Sequence, residues 1–351
     1  MKELIAKRIR SARLLARMSL RELSESMNHI VSHNAIQKYE KAEMIPDSKV
    51  LLALSKALGV KPDYFFMPYS VEVSKIEFRK NSKLASKDIS ALKEEVRDSI
   101  SRYLELENYL EISSNFQNPI ANIIIENGND LEVAVNELLT QWKIGFNALP
   151  NVIDLLEDKE IKVVEIDAPD GFDGFSGWAN DNIPVIVISK NYSVERKRFT
   201  ALHELGHLLL NFNEELSQKD VERYCHRFAG AMLIPRDTFF KEFGPERHSI
   251  SINELIAVKE IYGISMQAIM ARAKALGVIK ETAYRSFCIK VNQNPDLKKE
   301  IGYGQYKGNE NSYRFKQLLY RAVSMESISM SKAANLAKQK LAVFRDEYIE
   351  I

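Results

Sequence analysis

The sequence predicts a mainly α protein with a small α+β part: an all-α N-terminal domain, a central domain with a short β-sheet, and a helical C-terminal region. Three observations support this class. Apolar residues recur at helical spacing in short blocks from Leu4 to Phe66 and again from Arg196 onward. Two β-branched apolar runs, residues 161–166 and 184–189, predict strands. The length of 351 residues exceeds one ordinary core, so two or three domains are expected.

The all-α N-terminal domain is predicted to cover residues 1–68 with four or five short helices. Ser19 is placed to cap one helix, with Glu22 at the reciprocal position of a capping box, and Ser32 is placed to begin another. Residues 1–66 hold twelve Lys or Arg against seven Asp or Glu, a net charge of +5, whereas the whole chain carries +1. This excess favours a nucleic-acid-binding domain, although a solvated helical face would also explain it.

Residues 69–128 are predicted to form a linker with a candidate strand, followed by a long helix from about Ser86 to Glu111. Three roles are open for this helix: a spacer between domains, a dimer interface, or a helix packed on its own domain. The last alternative is favoured because the apolar stripe spans only about three heptads.

The central domain is predicted to cover residues 129–285, with two helices before the two strands and further helices after them. Residues 286–351 form the C-terminal region, with a loop over 289–312 and a helical stretch over 312–350. Within that stretch, residues 327–337 begin either a second unit like the N-terminal one or a packing pair of helices.

The composition is typical of a soluble protein, at 45% hydrophobic and 28% charged residues. No apolar run approaches the length of a membrane span, and basic residues interrupt the N-terminus where a signal peptide would have its apolar core. A cytoplasmic protein without a membrane partner is therefore expected. Cys225 and Cys288 are too few for a disulfide framework or a thiolate metal site, so both are predicted to be plain buried thiols and metal ligands are sought among His and carboxylates.

The strongest chemical signal is the pentapeptide His203-Glu204-Leu205-Gly206-His207, within a predicted helical run over residues 197–210. Imidazoles four residues apart on a helix point to the same side, which suits two ligands of a tetrahedral zinc site. Glu204, beside the first ligand, can accept a proton from a zinc-activated water. Such a pentapeptide also occurs by chance, but here an apolar flank on the motif helix and an acidic residue on a second apolar helix support a metal site.

A catalytic zinc site needs a third protein ligand, and the next predicted helix offers Glu222 and His226, again four residues apart. We favour Glu222, because a carboxylate completes a His₂Glu set and His226 can then support a ligand imidazole by a hydrogen bond. The reverse assignment stays open. Tyr224 is a weak candidate for an oxyanion donor, and His248 is predicted to be a loop residue.

This part of the chain resembles the ImmA/IrrE family of bacterial metallopeptidases. Residues 198–210 (RFTALHELGHLLL) match the motif helix of that family almost throughout, and residues 154–157, 184–187 and 228–235 are also similar to it. The resemblance covers about residues 130–280 and implies a zincin-like domain with a Zn²⁺ cofactor. It also implies that His203, His207 and Glu222 bind the metal and that Glu204 is catalytic. His226 stands where such sequences usually carry Asn or Asp.

The N-terminal domain resembles the XRE, or phage repressor-like, helix-turn-helix. Residues 19–24 (SLRELS) are similar to the first helix of that motif and residues 32–40 (SHNAIQKYE) to its recognition helix. The resemblance implies operator DNA as a partner and, since such proteins read paired half-sites, a homodimer. The expected DNA contacts comprise base-reading residues near the start of the recognition helix and phosphate-binding cations: Arg21, Ser32, His33, Asn34, Gln37, Lys38 and Lys41.

Two functions follow from these resemblances. The first is a bacterial or phage regulatory zinc metalloendopeptidase that hydrolyses a repressor-type DNA-binding protein, or the chain itself, with Glu204 as general base. The second is a transcriptional regulator without proteolysis, antitoxin-like in that its peptidase-like domain senses a ligand or holds a partner such as a toxin. The glutamate beside the ligands favours the first, because a pure binding domain does not need that residue. A purely structural zinc is the weakest alternative, since it would usually take a fourth protein ligand.

Overall fold

The computed structural model describes residues 1–67, 86–168, 172 and 174–349. The strand predicted within the linker lies outside the described residues. The chain divides into two compact units. The described residues up to Ile112, together with those from Leu319 onward, form one unit, and Ser113–Leu318 form the body of the other. The domain boundaries predicted at residues 68, 128 and 285 stay predictions.

The first unit begins with four α-helices and a short 3-10 helix, as predicted. Ser19 and Glu22 form the predicted capping box, and the hydroxyl of Ser32 accepts a hydrogen bond from the amide of Ala35. The apolar faces of these helices enclose a small core that includes the fully buried Ile36. The elements are α1 (Lys2–Leu15), α2 (Leu20–Ser26), α3 (His33–Glu40), α4 (Ser48–Leu58) and the 3-10 helix Pro62–Phe66.

The long helix α5 (Ser86–Tyr109) follows and matches the predicted one closely. Its apolar stripe is buried, with Leu92, Val96 and Ile100 at 1% exposure or less. Because this stripe packs within the first unit, α5 is a structural helix of that unit.

The second unit contains two small sheets. Strands β1 (Ile124–Ile125) and β5 (Asn211–Phe212) pair in parallel. The larger sheet comprises β2 (Lys162–Ile166), β3 (Phe175–Ala179) and β4 (Ile183–Ser189) in the order β2-β4-β3. In it β2 runs parallel to β4, whereas β3 runs antiparallel to β4 and forms an edge. The prediction included β2 and β4 but missed β3, whose Ser and Gly weaken the local strand signal.

The helices of the second unit pack around a large apolar core that includes the inner faces of β2 and β4. Residues 289–293 and 295–299 are helical, so the predicted loop over 289–312 begins too early. The reason is that Asn294 and Pro295 start a new helix instead of ending the structure. The helices are α6 (Gly128–Gln141), α7 (Val152–Asp158), α8 (Val194–Leu209), α9 (Gln218–Leu233), α10 (Arg236–Phe243), α11 (Ile252–Tyr262), α12 (Met266–Ala275), α13 (Glu281–Gln293) and α14 (Pro295–Lys299).

A buried ion pair ties the loop after α14 to the motif helix. Arg198 and Glu310 are both fully buried and joined by a short hydrogen-bonded ion pair. The Glu310 carboxylate also accepts hydrogen bonds of 3.0 Å from the amides of Val152 and Ile153, at the first turn of α7. Negative charge is stabilised at a helix N-terminus, so Glu310 neutralises Arg198 and caps α7 at once.

The predicted C-terminal helical stretch is divided into α15 (Arg314–Ser324), α16 (Met330–Leu336) and α17 (Leu341–Glu347). The left-handed backbone of Glu326 and Lys338 separates them. Helix α16 is joined to α5 through the ion pair of Lys332 with Glu105. Helices α16 and α17, together with α15 from Leu319 onward, therefore belong to the same compact unit as the N-terminal domain.

Candidate metal centre

Helix α8 carries His203, Glu204 and His207. Ser193 caps its first turn by accepting a hydrogen bond from the amide of Arg196. The fully buried Leu202, Leu205 and Leu209 anchor the helix in the core. The two histidines are four residues apart, so they project from one face, and their ring centroids are 4.6 Å apart.

Glu222 reaches the same point from α9. Its Oε2 lies 3.4 Å from His203 Nε2 and 3.3 Å from His207 Nε2, and the two imidazole nitrogens are 3.1 Å apart. Gln218 donates a hydrogen bond of 3.1 Å to the other oxygen of Glu222. Within the described ranges, this trio is the group of three or more His, Cys, Asp or Glu side chains whose donor atoms cluster closely enough to hold a metal.

The donor set fits zinc in type and spacing. Two imidazoles and one carboxylate are the ligands of the His₂Glu class of catalytic sites. Ligands about 2.0–2.1 Å from a tetrahedral zinc ion would stand about 3.3 Å from one another. The three observed separations lie within 0.2 Å of that value, so the side chains would need little rearrangement to bind the ion.

Gly206 permits the close approach of α8 and α9 that this geometry needs. A Cβ atom at Gly206 would lie 3.2 Å from Phe228 Cδ1 and 3.4 Å from the Cα of Cys225. A larger residue would push the helices apart and separate Glu222 from the histidines.

Glu204 is 6% exposed and is held from the edge strand. Ser176, on β3, donates a buried hydrogen bond of 2.8 Å to its Oε2. Gly174 has a left-handed φ of 117°, and a Cβ there would lie 2.8 Å from Thr200 Cγ2. Glycine at this position therefore lets the chain entering β3 lie against α8 beside Glu204. Ser176 carries no sequence signal of its own, because nothing local distinguishes one serine in a strand that the sequence does not predict.

Cys225 was also not selected for the site. Cys225 is fully buried, as expected, whereas Cys288 is only partly buried, because α13 leaves it near the surface. The Cys225 Sγ lies 3.0 Å from His207 Nδ1, the ring nitrogen remote from the ligand cluster. A partner on that nitrogen orients a ligand imidazole and selects its tautomer. The sequence signal that could have indicated Cys225 is its position three residues after Glu222, because residues at this spacing lie on the same face of a helix.

The other candidates near the centre occupy different positions. The ring of His226 lies 4.2 Å from that of His203 and 5.9 Å from that of Phe199, and His226 is outside the clustered donor trio. The Tyr224 hydroxyl donates to the carbonyl of Glu126, which uses its single donor. His248 is exposed in the loop between α10 and α11, as predicted.

Of the predicted DNA-contacting residues, Arg21 lies on α2, and the others lie on α3 or at one of its two ends. Ile36 and Tyr39 are the buried residues of α3, so the polar face of this helix is directed outward. The hydroxyl of Ser32 caps the helix, and His33 is half-buried. The remaining predicted residues are exposed: Arg21, Asn34, Gln37, Lys38 and Lys41.

Two family models match separate parts of the chain. Residues 156–274 match the family model of the IrrE N-terminal-like domain, Peptidase M78. Residues 9–65 match the model of a helix-turn-helix. The chain joins a helix-turn-helix domain to an IrrE-like peptidase domain. The IrrE-like match contains α8, α9 and every residue of the donor trio, and the helix-turn-helix match contains α2 and α3.

The comparison with curated proteins found no match. Among solved structures, the apo form of ComR from S. thermophilus is 13% identical over 99% of this chain and 95% of that chain, with a TM-score of 0.18. A superposition with so low a TM-score carries no argument about this chain. Every helix in the described part of the chain lacks the length or the apolarity needed to cross a membrane.

Proposed function

We propose that the chain is a DNA-binding regulatory zinc metalloendopeptidase, which hydrolyses a peptide bond in a repressor-type protein or in the chain itself. The observation that carries this proposal is the convergence of His203, His207 and Glu222 within 3.1–3.4 Å of one another, beside Glu204. The substrate class follows from the resemblance to ImmA/IrrE peptidases and from the repressor-like domain in the same chain.

The protein's own groups have separate tasks in this proposal. His203, His207 and Glu222 hold the metal. Zinc, when bound, is a Lewis acid that activates water and polarises the peptide carbonyl. Glu204 takes a proton from the attacking water and passes it to the leaving nitrogen as the peptide C–N bond breaks. The hydrogen bond from Ser176 holds the Glu204 carboxylate in one orientation for this transfer.

The edge strand offers a way to hold the substrate backbone. Strand β3 pairs with β4 on one side only, as far as the described strands go, and it carries Ser176. An extended peptide can add to such an edge by main-chain hydrogen bonds. This arrangement would bring a backbone amide of the substrate close to Glu204 and suits cleavage of an extended segment.

The helix-turn-helix domain supports binding to operator DNA, with α3 in the major groove. Asn34 and Gln37 are exposed near the start of this helix, where base edges are read. Arg21, Lys38 and Lys41 are exposed cations suited to phosphate contacts. Two half-sites read by a homodimer would complete the recognition.

The decisive experiment measures metal content and repressor cleavage on the same purified samples of wild type, Glu204→Gln and His203→Ala. Substrates are helix-turn-helix proteins encoded next to this protein, assayed on gels. We expect about one zinc per chain in wild type and in Glu204→Gln, cleavage by wild type alone, and neither property in His203→Ala.

The competing function gives a different pattern. In a regulator without proteolysis, antitoxin-like or ligand-sensing, zinc would be bound and DNA binding would survive in the Glu204 variant, yet no repressor would be cut. Absence of zinc from wild type would contradict the assignment of the metal centre itself.

A further inference from the structure

A cavity of about 540 Å³ adjoins the candidate metal centre. Glu222 and His226 line it, so it begins where the donor trio ends, and α9, α12 and α13 supply most of its wall. This volume is in the range of ligand-binding pockets, roughly 300–1,000 Å³.

The walls are built to leave apolar space. Phe199 and Tyr284 provide aromatic surfaces, and Ala268, Ala271 and Ala275 expose only methyl groups along one face of α12. Such surfaces favour a bulky apolar group, because burial removes its apolar area from water.

Gly230 indicates that the space is maintained at a cost to stability. It lies inside α9, where glycine costs about 0.5–1 kcal/mol relative to alanine. A Cβ atom there would contact only Arg272 Cδ, at 3.8 Å, which is an ordinary packing distance. Helix packing therefore does not require a glycine at this position, in contrast to Gly206, and its missing side chain deepens the cavity.

The charges around the cavity are unbalanced. Its lining contains one carboxylate, the metal-ligand candidate Glu222, against five cations: Lys219, Arg223, Arg227, Arg272 and Lys274. Several of these have partners, since Arg223 pairs with Asp220 at 2.7 Å and Lys274 with Glu281 at 2.7 Å.

Arg227 and Arg272 both lie near one carboxylate, that of Glu132. Glu132 accepts two hydrogen bonds from Arg272, at 2.9 and 3.0 Å. Arg227 forms no ion pair in the described part of the chain, and its Nε is buried without a hydrogen-bond partner. Burial lowers the pKa of Arg227, although the nearby Glu132 acts in the opposite direction. A half-buried guanidinium without its own carboxylate is a site for an incoming anion.

We propose that this cavity binds a bulky apolar side chain of the peptide substrate together with a neighbouring carboxylate, which is drawn to Arg227. The inference rests on the proposed peptidase function and names its substrate class: segments in which an aromatic or long aliphatic residue stands next to Asp or Glu. Gly230 and Ala271 set the space for the apolar group, and Arg227 selects the acidic neighbour.

The test uses the full-length protein carrying Glu204→Gln, so that binding is measured without turnover. The probes are short fluorescein-labelled peptides with Asp-Phe-Asp, Asn-Phe-Asn or Asp-Ala-Asp at the centre of one polar sequence, followed by fluorescence anisotropy. We expect the first peptide to bind at least about tenfold more tightly than either of the others, since one buried apolar side chain or one charged hydrogen bond is worth about that factor.

Two variants test which cavity residue determines each peptide preference. Ala271→Trp fills the cavity from an exposed helix position and should abolish the preference for Phe over Ala. Arg227→Gln should abolish the preference for Asp over Asn. Their matched controls are Ser286→Trp and Arg285→Gln, on exposed positions of α13 outside the cavity lining, and both preferences should survive in them. Thermal unfolding checks that each variant is folded.

A third variant distinguishes loss of cavity volume from a folding defect. Gly230→Ala should stabilise the protein, since it restores helix propensity, yet weaken binding of the Asp-Phe-Asp peptide. A folding defect would change both measurements in the same direction.

The outcomes distinguish this inference from the proposed function. Equal binding of the three peptides, no binding at all, or preferences that survive Ala271→Trp and Arg227→Gln would overturn the cavity assignment. Zinc-loaded wild type that cleaves peptides without these preferences would leave the peptidase function standing and refute the cavity. Selective binding by the cavity without cleavage by wild type would support the cavity and contradict the peptidase.

Discussion

Ser176 donates a 2.8 Å hydrogen bond to Glu204, and this bond joins the edge strand β3 to the motif helix α8. The serine therefore orients the carboxylate that we propose as general base. In the described structure it forms no hydrogen bond with any of the three metal-ligand candidates. Because this contact crosses between two elements, it offers a test of whether the orientation of Glu204 matters.

Ser176→Ala should lower kcat about tenfold, since a hydrogen bond to a charged group is worth about that factor. Metal content and KM should stay close to wild type, because neither the ligands nor the cavity change. Ser176→Thr keeps a hydroxyl and should retain most of the activity. Loss of zinc in the alanine variant would instead indicate that Ser176 supports the metal centre as a whole.

Cys225→Ala should weaken zinc binding about tenfold, because His207 loses the partner that orients its ring. Cys225→Ser retains a hydrogen-bonding group and should lie between alanine and wild type. Competition with a chromophoric chelator measures the affinity. Cys288→Ala on α13 is the matched control, and equal affinities of Cys225→Ala and Cys288→Ala would remove the role assigned to Cys225.

Glu222→Ala and His226→Ala test the choice of third ligand. Glu222 Oε2 lies within 3.4 Å of both ligand nitrogens, whereas His226 packs its ring beside His203. Loss of zinc is expected in Glu222→Ala and retention in His226→Ala, as measured by elemental analysis of dialysed protein. The opposite result would make His226 the ligand and Glu222 its support.

Lys38→Gln and Lys41→Gln should each reduce the salt dependence of DNA binding. Each phosphate contact contributes about 0.9 to the slope of log affinity against log salt concentration, so each variant should lose about that amount. Anisotropy of a labelled duplex at several salt concentrations gives the slope. Lys190→Gln, an exposed cation in the other compact unit, should leave it unchanged.

The stability of the protein should fall as the pH rises through the range of the Glu157 carboxyl group. Burial raises the pKa of Glu157 from 4.5 to about 7, despite its hydrogen bond from Ser312. Between these values the folded state binds a proton that the unfolded state has lost, so the stabilisation present below pH 4.5 is lost by pH 7. Each pH unit is worth about 1.4 kcal/mol, so this group contributes roughly 3 kcal/mol.

Glu157→Gln should remove most of this decline in urea unfolding between pH 5 and pH 8. Glu246→Gln, in an exposed loop, serves as the control for a lost carboxylate. An unchanged pH profile in Glu157→Gln would assign the decline to other groups.

Local signals predicted the helices well and the sheet incompletely. Ser19, Glu22 and Ser32 mark helix starts by short-range hydrogen bonds, which a sequence displays directly. Strand β3 depends on pairing with β4, so Phe175–Ala179 has no comparable signal of its own. Pro295 lies in the predicted loop over 289–312 but begins α14, because proline suits the first turn of a helix.

The candidate site shows the same limit at the level of side chains. The spacing of His203 and His207 is a property of one helix and is readable from sequence. Glu222 could be proposed but not chosen over His226, because both occur on the next helix at helical spacing. Ser176 and Cys225 depend on contacts between elements, which the order of residues does not contain.

The Glu310 carboxylate limits how the peptidase part of this chain can be excised for expression. A fragment ending with the family match at residue 274 would retain Arg198 in the motif helix but lose its counter-ion and the cap of α7. Leaving one member of a buried pair behind costs about 3–5 kcal/mol, a large share of the stability of a typical domain. A recombinant fragment should therefore extend beyond Glu310, and a proteolytic cut in the 300–313 loop should weaken the packing of α7 and α8.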